Sequence, residues 1–518
     1  MSDIRILWAD DEIELLKPQI LFLQEKGYKV DPVSNGHDAI EKFSQVRYDL
    51  VFLDEHMPGI TGLETLPRLK EIHPDIPVVM ITKNEEENIM DEAIGSQISD
   101  YLIKPVRPNQ VLLTIKKILD KKQLVSDKTS SNYRQEFQRI MMEIMNDPGH
   151  EGWAELYKKL IYWELELAKS GNSEMSEVME MQKAEANKEF FKFIQKNYLS
   201  WLKDPTKGTA PTLSHTLFRN KILPIIQDDR PTIMLLIDNL RFDQWKMIEP
   251  MMNELFRKIS EDHFYSILPT TTQYSRNAIF AGMMPSEIEK NYQDKWFFDE
   301  EDEGKNMHEE FFMEEQLKRS GVNVKSSYTK VLNHKAGKAL EDTVLNLCNN
   351  MFNVIVYNFV DMLSHARTEI EVLKELASDE AAYRSLTTSW FDHSPLYNAL
   401  QKLAERKIRI IVTTDHGTMR VNSPSKVIGD KNTTTNLRYK SGKSLNYNPK
   451  EVFEVRKPEE AFLPKSNMST SYIFAKEDYY FCYPNNYNHF VNFFKNTFQH
   501  GGVSLEEMII PFVVYESK

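Results

Sequence analysis

Short apolar runs alternate with helix-period stretches over the first 120 or so residues. Ile4–Ala9, Val51–Leu53, Val78–Ile81 and Tyr101–Ile103 read as strands, punctuated by Gly27, Gly36, Gly59 and the Pro74/Pro77 pair. Such alternation predicts βα units around a parallel sheet. From Gln123 to about Lys207 the pattern becomes helical, rich in Glu, Lys, Met and aromatics, with breaks at Pro148-Gly149 and Gly171-Asn172. Three or more helices are expected there, with the Trp, Phe and Met residues between Trp153 and Trp201 as bundle core. Asp204–Pro211 reads as a linker. Beyond it Ile233–Ile237, Val354–Val360 and Ile408–Thr413 are continuous apolar runs, the texture of a parallel sheet buried on both faces. The pattern predicts an α/β chain of three parts: 1–122, a helical segment 123–207, and a larger α/β domain 208–518.

Composition narrows the function. A chain of 518 residues is too long for one core, so about two to four domains are expected. With 41% hydrophobic and 27% charged residues it has the make-up of an ordinary globular protein. A net charge of -13 argues against wholesale coating of duplex DNA or anionic membrane, while allowing a local basic pocket. Two cysteines, Cys348 and Cys482, exclude a disulfide scaffold and a Cys-rich zinc module. The acidic start, Asp10-Asp11-Glu12 after the first apolar run, lacks the apolar stretch of a signal peptide, and no run reaches the roughly 18 apolar residues of a membrane span. A cytoplasmic location without membrane insertion is the expectation.

Polar residues at the ends of the first strands carry the first chemistry. Asp10 and Asp11 follow strand one, Asp54 follows Val51-Phe52-Leu53, Thr82 follows Val79-Met80-Ile81, and Lys104 follows Tyr101-Leu102-Ile103. In an open parallel sheet these positions converge on one crevice. Gathered carboxylates there call for a hard cation such as Mg²⁺, and Lys104 and Thr82 suit a phosphoryl group. The set, with Asp54-Glu55-His56-Met57-Pro58-Gly59, Tyr101 and Lys104-Pro105, resembles the receiver domain of two-component response regulators, a flavodoxin-like fold. The resemblance implies that Asp54 accepts a phosphoryl group from a sensor histidine kinase. Mg²⁺ would be held by Asp11, Asp54 and the His56 backbone, with Asp10 supporting the site. Thr82 and Tyr101 would form the switch, and the Lys104-Pro105 bond would be cis.

A second constellation follows the later strands. Asp238 follows Ile233–Ile237. Asp361 and His365 stand four apart, on one face of a helical turn, and Asp415-His416-Gly417 follows Ile410–Thr414. His500-Gly501-Gly502 closes the series. Three Asp and three His at strand exits suit two divalent ions such as Zn²⁺, although Mn²⁺ accepts the same ligand types. In Pro269-Thr270-Thr271-Thr272-Gln273-Tyr274-Ser275-Arg276, a threonine hydroxyl acidified by metal could attack phosphorus. Asn277 and Arg276 could hold a non-bridging oxygen. The stretch from Met419 to Lys443 carries Arg420, Lys426, Lys431, Arg438, Lys440 and Lys443 against Asp430 alone, and reads as a loop gripping phosphate or oligonucleotide, with Tyr439 beside Arg438 to stack a base. His308-Glu309 is not a metalloprotease motif, because Phe312 stands where the second His must be.

The order Asp, Thr, Asp-x3-His, Asp-His, His resembles the alkaline phosphatase superfamily, most closely its PglZ branch, over residues 210 to 518. The Pro-Thr-x-Thr pattern and the later Gly-x-x-Pro are similar to nucleotide pyrophosphatase/phosphodiesterase members. That resemblance implies Thr272 as nucleophile, with Thr271 the near alternative. Asp238, Thr272, Asp415 and His416 would hold one zinc, and Asp361, His365 and His500 the other. Ala281 stands where those phosphodiesterases tend to have Thr. As a whole the chain resembles PglZ-domain response regulators of the PorX kind. This implies zinc-dependent phosphodiester cleavage, small oligonucleotides as substrate class, homodimerisation on phosphorylation, and control of type IX secretion and gliding, with a secretion-machinery or sigma-factor partner. The alternative is a metal-stiffened platform that binds such partners without catalysis.

Overall fold

The computed structural model describes residues 4–83, 98–170, 173–204, 210–227, 230–298, 306–369 and 379–518, the side chains of 120–127, 173 and 365–369 excepted. The acidic run 299–303 lies outside the described residues. The chain divides into two compact units, one of Met1–Arg134 with Lys169–Asn172 and a second built from Gln135–Ala168 and Ser173–Lys518.

In the first unit β1 (Arg5–Ala9), α1 (Lys17–Glu25), β2 (Lys29–Val33), α2 (Gly36–Gln45), β3 (Leu50–Asp54), α3 (Gly62–Ile72), β4 (Val78–Thr82) and β5 (Asp100–Ile103) form a parallel sheet of order β2-β1-β3-β4-β5. The strands alternate between two cores. Ile6, Trp8, Phe52, Val79 and Ile81 fill one, and Leu7, Ala9, Val51, Leu53 and Met80 the other. Burial on both faces explains why these strands are unbroken apolar runs. β2 escapes that pattern: Lys-Val-Asp-Pro-Val is an edge strand, where Pro and exposed polar residues are tolerated. α3 opens with a capping box, Thr61 and Glu64 each satisfying the other's backbone N–H. The Lys104-Pro105 bond is cis, as expected.

The helical middle region comprises α4 (Pro108–Met145), α5 (Gly149–Ser170) and α6 (Ser173–Lys203). Within the second unit the α5 and α6 aromatics do more than fill a bundle. Phe190 stacks on Tyr265 at 6.3 Å between centroids, Trp201 meets the same ring edge-on at 5.8 Å, and Tyr198 accepts the Leu268 N–H at 2.8 Å. Tyr157 of α5 meets Phe242 edge-on at 6.2 Å, so both helices share a core with the domain that follows.

That domain is laid on a six-stranded sheet. Its strands are β6 (Thr232–Ile237), β7 (Phe256–Tyr265), β8 (Ser326–Val331), β9 (Phe352–Tyr357), β10 (Arg409–Thr413) and β11 (Ile509–Ser517), in the order β7-β11-β10-β6-β9-β8. β10, β6, β9 and β8 are parallel, but β11 runs antiparallel to both β10 and β7. The sheet is thus mixed, where the apolar runs alone predict a parallel one. The run Val354–Val360 also divides: the strand ends at Tyr357, and Phe359 opens α9 (Phe359–Glu369), which puts Asp361 in its first turn. α7 (Phe242–Leu255) and α8 (Glu309–Arg319) are further helices of this domain. Among the described residues, no helix is long and apolar enough to cross a membrane.

Candidate phosphoacceptor and metal sites

At the C-terminal edge of the first sheet, Lys104 Nζ lies 3.1 Å from Asp54 Oδ1 and 3.0 Å from Asp10 Oδ2. Asp10 and Asp54 are buried, Asp11 is exposed, and Asp10, Asp11 and Glu12 offer oxygens close enough to share a cation. Asp54 Oδ2 is buried without a hydrogen bond. Burial, and then the charge of Asp10, push the Asp54 carboxyl up to about 6 against the pull of Lys104. A crowded, partly desolvated carboxylate with one uncompensated oxygen fits a divalent ion. Thr82 donates to Glu55 Oε2 at 2.6 Å, while Tyr101 and the His56 ring face solvent.

The second site lies where β6, β9 and β10 end, the place such sheets reserve for ligands. Asp238 leaves β6, Asp361 sits in the first turn of α9, and Asp415-His416 leave β10. Asp238, Asp415 and His416 offer ligand atoms within 4.8 Å of one another. Thr272, opening a helical turn, puts Oγ1 3.3 Å from Asp238 Oδ1 and 3.1 Å from His416 Nε2. The Thr271 hydroxyl is buried instead and makes no hydrogen bond. His500 Nε2 is 3.7 Å from Asp361 Oδ1, and its ring stacks on His416 at 4.4 Å. The His365 side chain lies outside the described residues.

Electrostatics mark this cluster as built for cations. Asp238 is pushed up to about 6, by burial and by Asp415. Asp361 is raised well above the carboxylate range by burial, Asp238 and Asp415. Asp415 is held low because His416 and Arg276 outweigh its burial. Its Oδ2 is buried without a hydrogen bond. Carboxylates and imidazoles in this arrangement fit borderline-hard divalent ions.

Two residues complete the site: Arg276, in contacts other than the expected oxygen, and Glu309, which the sequence left without a role. Arg276, 1% exposed, donates to Asp238 Oδ2 at 2.8 Å and to Asn358 Oδ1, and lies 3.1 Å from Glu309 Oε1. Glu309, set aside with the failed protease motif, is buried and also accepts from Tyr328 and from Lys330 Nζ. These groups line a cavity of about 370 Å³ that includes Asp238, Thr272 and Asp361. The only signal in the sequence for Glu309 was an acidic residue at a helix start.

Two expected substrate contacts, Arg438 and Asn277, and the expected base-stacking Tyr439 are corrected. Arg438 is fully buried: it pairs with Glu507, its Nε 3.1 Å from Oε1, and donates to the backbone carbonyls of Lys476 and Tyr479. Tyr439 and Lys440 are buried with it, because Tyr439–Gly442 is one strand of a small antiparallel sheet with Ser471–Ala475 and Val452–Val455. The expected basic gripping loop is therefore in part a structural strand. Asn277 is buried, its amide donating to the Gln273 carbonyl. Lys431 stays exposed, and among the described residues no hydrogen bond or ion pair ties it to the cluster.

Lys440 gives a pH test of this correction. Its Nζ donates to the Thr434 carbonyl at 2.8 Å, and burial pulls its pKa down to about 7. Between about pH 7 and the unfolded lysine value the unfolded chain binds more protons, so wild-type stability rises with pH. Lys440→Met is expected to raise the unfolding midpoint below pH 7, and that gain should vanish towards pH 10.5. A solvent-facing gripping lysine would give no such trend in a pH series of thermal melts.

Comparisons with known proteins match three stretches of the chain. The family model "BREX system PglZ alkaline phosphatase-like domain" matches residues 217–515, "PorX response regulator linker domain" 123–202, and "Response regulator receiver domain" 6–116. Among curated proteins, the transcriptional regulatory protein ResD of Bacillus subtilis is 32% identical over 118 residues, 23% of this chain and 49% of its own. The transcriptional regulatory protein SrrA of Staphylococcus aureus is 29% identical over 143 residues, 27% of this chain and 59% of its own. The chain thus spans about half the length of the curated relatives it matches. Among solved structures, chemotaxis protein CheY4 of Vibrio cholerae is 25% identical, with a TM-score of 0.22, over 23% of this chain and 99% of its own. A two-component response regulator from Clostridium difficile is 29% identical, with a TM-score of 0.22, over 23% and 97%. With its PglZ match spanning more than half of its length, the chain belongs to the PglZ alkaline phosphatase-like family, in a PorX-like arrangement of receiver, linker and PglZ domain.

Proposed function

We propose that this chain is a response regulator phosphorylated on Asp54 by a sensor histidine kinase, with a zinc-dependent phosphodiesterase output acting on small oligonucleotides. Mg²⁺ at Asp11, Asp54 and the His56 backbone would serve the receiver. The observation that carries the hydrolase half is the Thr272 hydroxyl, seated between Asp238 and His416. Asp238, Thr272, Asp415 and His416 would hold one zinc, and Asp361, His365 and His500 a second. Bound there, the ions would neutralise charge and acidify the threonine hydroxyl and a water.

Thr272 Oγ1 attacks phosphorus in line and its proton goes to solvent. The P–O bond to the leaving alcohol breaks, and that oxygen is protonated. Water then attacks the same phosphorus, the P–Oγ1 bond breaks, and the hydroxyl is restored as a phosphomonoester departs. Arg276 engages Asp238 Oδ2, which leaves Oδ1 facing Thr272, and Glu309 fixes Arg276 from behind. Charge supports a diester. Asp238, Asp361, Asp415, Glu309 and an ionised Thr272 oppose Arg276, Lys330 and two divalent ions, leaving about one positive charge. That matches a singly charged diester better than a dianionic monoester.

Chromogenic mono- and diesters assayed side by side, with elemental analysis, test the reading. About two zinc per chain and diester turnover at least about tenfold above monoester are expected, lost on chelation and restored by Zn²⁺, with Mn²⁺ as a parallel arm. Full activity in the chelated protein would overturn it. With this activity we propose a role in type IX secretion and gliding, a secretion-machinery or sigma-factor partner, and a homodimer formed on phosphorylation.

A further inference from the structure

The turn Leu505–Met508, ahead of β11, is a junction in the hydrolase domain. The Glu507 carboxylate accepts the Gly502 N–H at 2.8 Å, and its backbone carbonyl accepts the Gly417 N–H. Gly417 follows His416, and a Cβ there would meet the Glu506 carbonyl oxygen at 2.1 Å, so backbone and turn are in direct contact. The Met508 carbonyl accepts the Ser266 N–H, and the Ser266 hydroxyl donates to the Asp415 carbonyl. Thr270 Oγ1 donates to the Gly502 carbonyl and accepts the Gly501 N–H. One turn therefore supports the His416 loop, the His500 loop and the approach to Thr272.

The turn is held in turn from α6. Asn187 Oδ1 accepts the Leu505 N–H at 2.8 Å, and its amide donates to Glu506 Oε2 at 3.1 Å. Lys183 Nζ lies 3.2 Å from Glu506 Oε1 and 3.0 Å from Glu164 Oε2 of α5. Asn187 and Glu506 are each 1% exposed, and an unmet carboxylate or amide at that depth is costly. Nothing in the chemistry of the metal site asks for these side chains, yet they are its only charged and amide links to the helical hairpin that the described residues show at this turn.

We propose that the Lys183–Asn187 face of α6 is a positioning element of the metal site, acting through Leu505 and Glu506 on the backbone that carries His416 and His500. The helical region is thereby a working part of the hydrolase, and displacement of α6 changes metal affinity before it changes the fold. This inference rests on the zinc reading above.

The test uses the full chain. Zinc affinity is measured by competition with a chromophoric chelator, and ligand geometry by the visible bands of the Co²⁺-loaded protein, for wild type, Asn187→Leu, Lys183→Met and the charge-keeping Lys183→Arg. Asn187→Leu and Lys183→Met are expected to weaken zinc binding roughly tenfold and shift the cobalt bands, with Lys183→Arg close to wild type. Wild-type affinity and cobalt bands in both of the first two would overturn the proposal. Should Asn187→Leu not fold, Lys183→Met against Lys183→Arg decides. A wild-type protein that binds no stoichiometric zinc would instead sink the zinc reading itself.

Discussion

Thr272→Val is expected to abolish diester hydrolysis, by about a thousandfold or more, and to leave two zinc ions bound per chain. The substitution keeps the shape of the side chain and removes the one oxygen that lies between Asp238 and His416. Thr272 is one of the seven proposed ligands, and the variant keeps the six Asp and His side chains, so metal content should survive. Loss of an attacking oxygen removes the covalent route altogether, and the remaining rate reflects binding and charge stabilisation alone. Asp238→Ala should behave differently. It removes a ligand and leaves Arg276 facing Glu309 and Asp415 without its shortest partner, so zinc and turnover should fall together. Cellular function measured beside metal content distinguishes an enzyme from a metal-stiffened platform, because an enzyme loses function with either change, whereas a platform tolerates the first and fails with the second.

Asp54→Asn is expected to abolish phosphoryl uptake and, in the absence of Mg²⁺, to stabilise the protein at pH 7 by roughly 1–3 kcal/mol. The folded carboxyl titrates at about 6, against an ordinary value of 3.8. Between those values the native state binds more protons than the unfolded chain, so stability falls as pH rises through that window, and above it the cost is complete. Asparagine removes a charge that burial and Asp10 penalise. The gain should disappear below about pH 4, where both states are protonated. Melts in EDTA across pH 3.5 to 8 check the sign: equal midpoints at pH 7 would show that the Asp54 pocket is not strained in this way.

The readable part of the fold was the part buried on two faces. β6, β9 and β10 carry the apolar runs Ile233–Ile237, Val354–Tyr357 and Ile410–Val412, so Asp238 and Asp415 could be placed at strand exits from the sequence, while the run into Val360 hid the end of β9 and put Asp361 in a helical first turn. β7, Phe-Arg-Lys-Ile-Ser-Glu-Asp-His-Phe-Tyr, sits at the sheet edge with most of its first seven residues in water, and carries no such run. β8 at the other edge is half-buried Ser-Ser-Tyr-Thr-Lys-Val and equally silent. The direction of β11 could not be read, since hydropathy does not encode polarity of pairing. In the site, ligands with strong chemical identity were legible, whereas Glu309 was not, because its meaning comes from Arg276, thirty-three residues earlier, and Lys330. Arg438 was misread for the mirror-image reason. A basic run looks solvated until Glu507, 69 residues later, turns out to neutralise it inside the protein.

The position of β11 between β7 and β10 bears on the order in which the chain matures. The sheet of the first unit is complete once residue 103 has been made, so it can close early during synthesis. The larger sheet has a gap in its middle until residues 509–517 leave the ribosome, and β7 has no strand to pair with before then. A nascent chain would therefore complete the sheet that carries Asp54 long before the one that carries Asp238 and Asp415, and a translation stall before residue 509 would release a finished first sheet beside an unfinished second.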